Sequence, residues 1–121
     1  MHGLKGQRVL MRIHIGERDR FGGKPLYAAI VEHLRRRKYA GATVTRAIMG
    51  YGASSTVHSD RIEVLSLDLP IVVECVETAE RIEAVLPELD EMIGGGLITL
   101  ERVDVIVYRP HSASPGPAAD G

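Results

Sequence analysis

The chain has 121 residues, 45% of them hydrophobic and 26% charged, with a formal net charge of −1, the size and make-up of one globular domain. A near-zero charge without a long basic tract or acidic tail gives no electrostatic reason to expect nucleic acid or a membrane surface as a partner. No run of about eighteen apolar residues is present to span a bilayer. Met1 to Arg12 carries Lys5, Arg8 and Arg12 rather than a secretory leader, and the single cysteine, Cys75, cannot close an internal disulfide, so a cytoplasmic protein is expected. With no Trp, one Phe and four Tyr, the core must be aliphatic.

Arg8 to Gly16 alternates Val9, Met11, Ile13 and Ile15 with Leu10, Arg12 and His14, which predicts a first strand. Glu17 to Lys24 is polar and glycine-containing and reads as a loop. Pro25 suits the first helical position, because its missing N–H has no partner there. Leu26, Ala29, Ile30, His33 and Leu34 share one helical face through Tyr39, with Gly41 as the expected stop. The basic run Arg35 to Lys38 complements the dipole at the end of this helix, and Glu32 can pair with Arg36.

Thr43 to Gly50 is β-branched and predicts a second strand. Ile71 to Val76 predicts a third, with Pro70 at its start, and Glu63 to Asp68 extends the alternation backwards. Thr78 is the expected N-cap of a second helix carrying Ile82, Val85, Leu86, Leu89, Met92 and Ile93. Pro87 should kink or split that helix. Gly94, Gly95 and Gly96 end it, and Leu97 to Tyr108 predicts the last strand. Residues 1–109 are expected to form a single domain. Residues 110–121 are rich in Pro, Ala, Ser and Gly without periodicity and are expected to be a disordered tail.

Strand, helix, strand, strand, helix, strand predicts an α+β protein, a ferredoxin-like βαββαβ sandwich with two helices on one face of an antiparallel sheet. The helices should cover Val9, Met11, Ile13, Ile71, Val73, Cys75, Val103, Val105 and Val107. The opposite face would show Leu10, Val72, Val76 and Ile106 among Arg12, Glu74, Arg102 and Asp104. That is too apolar for a face left to water, so a homo-oligomer is expected, with those four charges compensating one another.

The organising stretch is Met49 to Pro70, far longer than the two to five residues of an ordinary hairpin. Gly50, Tyr51 and Gly52 stand at its root, where glycine permits a bend and Tyr51 can stack on an aromatic ligand. Ser54, Ser55 and Thr56 offer hydroxyls. They read as solvated loop residues, as partners of a phosphate or carboxylate, or as modification sites. Gly94 to Gly96 reads as a helix stop or as a nest of backbone amides for an anion. Arg18, Arg20 and Lys24 are the cations able to serve such a site. His14, His33 and His58 have no local metal-ligand spacing, and Cys75 reads as a core residue.

Several strings taken together resemble one family: Gly16 to Tyr27, Ala40 to Arg46, Gly50 to Ala53, Asp68 to Pro70, and Leu86 to Met92. The resemblance is to a PII-like family, domain of unknown function one-ninety, similar in fold to nitrogen-regulatory PII proteins and CutA, and it covers about Arg8 to Tyr108. It implies a trimer, a central loop that reads a protein partner, and nucleotide binding in the clefts between subunits. By position, Gly50-Tyr51-Gly52 looks like the root of the PII T-loop and Gly94-Gly95-Gly96 like the phosphate loop. Unlike a PII phosphate loop, this run has no cation until Arg102.

A non-enzymatic regulatory protein is therefore expected, a homotrimer binding a small anionic metabolite or nucleotide in intersubunit clefts, without a cofactor that the sequence identifies. No nucleophile motif, close carboxylate pair or Walker-type loop speaks for catalysis. Two alternatives stand beside it. One is a CutA-like metal-binding trimer using His14 or His58 with Asp60. The other is an accessory subunit whose loop docks on a membrane transporter or enzyme.

Overall fold

The computed structural model describes residues 3–52 and 68–110. Its elements are β1 (Gly6–Gly16), a small hairpin of β2 (Arg20–Phe21) and β3 (Lys24–Pro25), α1 (Leu26–Arg36), β4 (Thr43–Arg46), β5 (Pro70–Glu77), α2 (Ala79–Met92) and β6 (Leu97–Val105). The four longer strands form one antiparallel sheet in the order β4-β5-β1-β6. This is the α+β, ferredoxin-like βαββαβ arrangement, with each helix crossing between two non-adjacent strands.

The core follows from the period-two pattern of the central strands. Met11, Ile13 and Ile15 face Cys75, Val73 and Ile71 across the β1–β5 ladder. They bury against Leu26, Ile30 and Leu34 of α1 and Ile82, Val85 and Leu89 of α2. Each such side chain contributes about 1.5–3 kcal/mol by leaving water.

The last strand departs from expectation. Met11 lies opposite Leu100 and Val9 opposite Arg102, so the helix side of β6 carries Ile98, Leu100, Arg102 and Asp104. Val103 and Val105 lie on the open side, and Val107 falls beyond the strand, exposed. A slip of one residue reverses every side chain, and β6 carries aliphatics at both parities. The helices sit over β1 and β5, and only Ile98 of β6 packs against the core. Arg12 still compensates Glu74, at 2.9 Å, but its second partner is Glu101 at 3.0 Å rather than Asp104. The hydrogen bonds to Glu74 and Glu101 hold the Arg12 guanidinium above its ordinary pKa.

Helix boundaries also differ in instructive ways. Pro25 is the N-cap of α1 rather than its first helical residue. That helix ends at Arg36 with Arg37 as its C-cap, and the chain is turned by Lys38, not Gly41: Lys38 has φ 63°, Tyr39 N–H donates to the Leu34 carbonyl at 3.1 Å and Lys38 N–H to that of Arg35 at 2.9 Å. These are the two bonds of a Schellman stop, here without glycine. Thr78 caps α2 as expected, its Oγ1 accepting from Arg81 N–H at 3.3 Å. Pro87 does not split α2, which continues to Met92. Pro87 and Glu83, whose carbonyl loses its donor, are both exposed, so water can replace the missing bond. Among the described residues no helix is long and apolar enough to cross a membrane. The expected tail after Pro110, and the backward extension of the third strand through residues 63–67, lie outside the described residues.

Candidate functional site

The antiparallel order places the C-terminal ends of β1 and β4 and the starts of β5 and β6 at one end of the sheet. The loop after β1, both roots of the central segment and the glycine run therefore meet there. Glu17 N–H donates to the Leu69 carbonyl at 2.8 Å, and Ala47 N–H to that of Pro70 at 2.9 Å. Arg18 N–H donates to Asp68 Oδ1 at 3.0 Å, and Arg46 pairs with Glu17 at 3.0 Å. The turn after β1 is thus stitched to both sides of the central segment.

Three glycines make this end close-packed. A Cβ on Gly16 would stand 2.8 Å from Asp68 Oδ1, and one on Gly96 2.6 Å from the His14 carbonyl oxygen. Gly50 has φ +150°, and a Cβ there would stand 3.2 Å from Pro70 Cγ. Beside this packed floor the root of the central segment is apolar and open: Ile48, Met49 and Tyr51 are 91%, 67% and 64% exposed.

Not all the expected residues come together within one protomer. Gly50, Tyr51 and Gly52 follow the edge strand β4, and Gly94, Gly95 and Gly96 precede the opposite edge strand β6. Three inter-strand spacings of about 4.8 Å separate those edges by ~14 Å. Arg18 lies between them. Arg20 and Lys24 are committed elsewhere: Arg20 donates to the Gly23 carbonyl at 2.8 Å, and Lys24 reaches Glu32 at 2.6 Å. Lys24 holds the Glu32 carboxyl below its usual range. The reason is a two-residue turn at Gly22 and Gly23, with φ 60° and 82°, that folds the expected loop into the β2–β3 hairpin and carries both cations away with it. Ser54 and Ser55 lie outside the described residues, as do Thr56, His58 and Asp60.

Lys24 and Phe21 instead line a cleft of about 350 Å³ between the hairpin and the two helices, with Glu32, His33 and Glu88. There His33 Nε2 meets Glu88 at 2.6 Å and Arg37 meets it at 2.7 Å. A second cleft of about 340 Å³ lies on the open sheet face, bounded by Leu4, Leu10, Val76 and Tyr108. Among the described residues no three His, Cys, Asp or Glu side chains gather as a metal site. Burial pushes the Cys75 thiol up to about 12.

Asp68 and Gly16 are given no role by the sequence alone, although both stand in strings that carry the family resemblance, and the Asp-Leu-Pro string before a strand is the signal that could have marked Asp68.

Both helices and all of the sheet but the first two residues of β1 lie within the region matched by one family profile, residues 8–105, described as DUF190, Uncharacterized ACR, COG1993. A UPF0166 protein of Aquifex aeolicus is 40% identical over 100 residues, covering 83% of this chain and 94% of the relative. A UPF0166 protein of Methanocaldococcus jannaschii is 40% identical over 101 residues, 83% of this chain and 91% of the relative. A second Aquifex aeolicus UPF0166 protein is 35% identical over 99 residues. With a match across nearly all the described fold and relatives of this identity, the chain belongs to the DUF190 (UPF0166) family.

Proposed function

We propose that this chain is a non-enzymatic, PII-like regulatory protein of the cytoplasm. Three copies associate through the open face of the sheet. A small anionic metabolite or nucleotide binds where the glycine run of one protomer meets the central-segment root of its neighbour, and the central segment reports that occupancy to a protein partner. The observation that carries this reading is the meeting at one end of the sheet of the β1 turn, both roots of the central segment and the Gly94–Gly96 run. The ~14 Å between the edge strands that lead to Tyr51 and from the glycine run, three strand spacings, is a separation that a neighbouring copy would close. The open face supports association, with Leu10, Val72, Val76, Val103 and Val105 all half-buried beside the Arg12–Glu74–Glu101 cluster.

A ligand can shift the central segment only if it binds one arrangement better than another. Bound at a hundred times its Kd it stabilises the fold by about 2.7 kcal/mol. The test is light scattering at micromolar concentration followed by a thermal-shift screen of nucleotides and of carboxylate and phosphate metabolites, repeated with Tyr51→Ala. A trimer whose melting temperature rises with one ligand class, and rises less in Tyr51→Ala, is the expected result. A monomer, or a screen without a shift that calorimetry repeats, removes the proposal.

A second reading is favoured by the exposure of Ile48 and Met49, which a bound metabolite does not require. On that reading the same root docks on a transporter or enzyme without a small ligand. A pull-down lost in Ile48→Ser/Met49→Ser but indifferent to ligand would select it.

A further inference from the structure

Three consecutive amides at the end of β1 each hold an oxygen. Gly16 N–H donates to Asp19 Oδ2 at 3.0 Å, Glu17 N–H to the Leu69 carbonyl at 2.8 Å, and Arg18 N–H to Asp68 Oδ1 at 3.0 Å. Two of the three oxygens belong to carboxylates, the kind of anion that turn amides attract, and one of these comes from fifty positions further along the chain. Gly16 makes the approach physically open, since a Cβ there would stand 2.8 and 3.1 Å from the two Asp68 oxygens. The Arg18 guanidinium forms no salt bridge among the described residues, and the Asp68 contact is exposed to solvent.

We infer that the Gly16–Asp19 turn is an oxyanion site occupied by Asp68 as a built-in competitor, so that an incoming carboxylate or phosphate takes the Arg18 amide only by displacing Asp68 from the start of β5. The inference rests on the preceding reading, in which the ligand is anionic, and gives its charged group a seat and a consequence. A free oxyanion reaches the amide and the Arg18 guanidinium together, whereas Asp68 is tethered and takes the amide alone. Its displacement removes one of the two bonds, Arg18 N–H to Asp68 and Glu17 N–H to Leu69, that tie the turn to the returning end of the central segment. Anion binding and the Asp68 fastening of that segment thereby become mutually exclusive states of one small turn, while the Glu17 bond to Leu69 stays.

A competitor docked nine-tenths of the time weakens apparent affinity about tenfold, because only the undocked fraction is competent. The experiment follows the Gly16 and Arg18 amide resonances of the ¹⁵N-labelled full chain during titration with inorganic phosphate and, separately, acetate. Asp68→Ala should tighten binding by about tenfold, with Asp68→Asn in between, since its amide oxygen still accepts from Arg18 N–H. Arg18→Gln should weaken binding. Glu17→Gln removes the same charge one residue away while leaving the Asp68 contact in place, and should change affinity by less than about threefold, as expected of a screened surface charge. Hydrogen exchange at Glu17 N–H should quicken on adding phosphate to the wild-type protein and be fast already in Asp68→Ala. Phosphate acting where acetate does not identifies a phosphate seat, and equal action identifies a general oxyanion seat. Equal gains in Asp68→Ala and Glu17→Gln, or no movement of the Arg18 amide in Asp68→Ala, overturn the inference. Those outcomes differ from a failure of the proposed function, which shows as a monomer or a ligand screen without a shift.

Discussion

The two ends of the sheet use the same kind of contact, a carboxylate accepting from a backbone amide, in opposite settings. At the end away from the central segment, Glu77 is 0% exposed; it accepts from Ala40 N–H at 3.1 Å and pairs with Arg81 at 3.2 Å. Arg81 in turn donates to the carbonyls of Arg37 and Lys38 at 2.6 and 3.2 Å. It also lies 4.2 Å above the Tyr39 ring, whose hydroxyl donates to the Arg81 carbonyl at 2.5 Å. At the other end, Asp68 on Arg18 and Glu17 on Arg46 make their contacts at the surface. Water competes for every contact of the second set but at the first reaches only Arg81 and not the Glu77 carboxylate, so the Glu77 end is the firmer fastening and the Asp68 end an exchangeable one.

Each end can be tested by how much it tolerates. The largest expected effect is kinetic and lies beside the buried fastening. With its pKa raised from 9.0 to about 12 by burial, Cys75 should react with a disulfide reagent at pH 8 about a thousandfold more slowly than a free thiol, through thiolate fraction alone. The contribution of the protonated thiol to stability is complete below pH 9 and is lost as pH rises toward 12. Native-state labelling as fast as in urea would show this end to be open. Next, Glu77→Ala should cost about 3 kcal/mol in urea denaturation, since it leaves Ala40 N–H and Arg81 without their acceptor. The loss lies toward the lower end for a broken buried pair because Arg81 is itself partly exposed. A loss below ~1 kcal/mol, the scale of a surface pair, would erase the contrast between the ends.

At the other end, Gly96→Ala should cost about 2 kcal/mol, because the methyl group must push against the His14 carbonyl. That floor is close-packed even where the contacts above it exchange. The smallest change is Arg46→Gln, expected to alter stability by less than ~0.5 kcal/mol and to do so less in high salt. A loss comparable to that of Glu77→Ala would place a second firm fastening at the central segment.

Much of this fold is readable in the residues because its signals are local. The alternation in β1 and β5, the Thr78 cap and the apolar face of each helix involve neighbours within a turn or two. The convergence of the candidate segments follows from element order alone. What escapes reading is what distant residues decide. The parity of β6 is set by its register against β1, not by its own mixture of aliphatics. The left-handed Lys38 is held by Arg81, more than forty positions away, and a lysine there gives no local sign of a helix stop. Gly22-Gly23 did carry a hairpin signal, and its consequence for Arg20 and Lys24 follows once that turn is recognised. Asp68 on Arg18 joins residues fifty positions apart, and no spacing rule reaches that far.

The bond from Ala47 N–H to the Pro70 carbonyl, at 2.9 Å, closes the chain on either side of the central segment. Closing a chain costs little more for a long insert than for a short one, about 0.6 kcal/mol for each doubling of length. The number and kind of residues between those two points can therefore drift while the sheet beneath stays as it is. The fold separates a sheet whose pairing fixes its geometry from a stretch whose length and sequence can change without disturbing it.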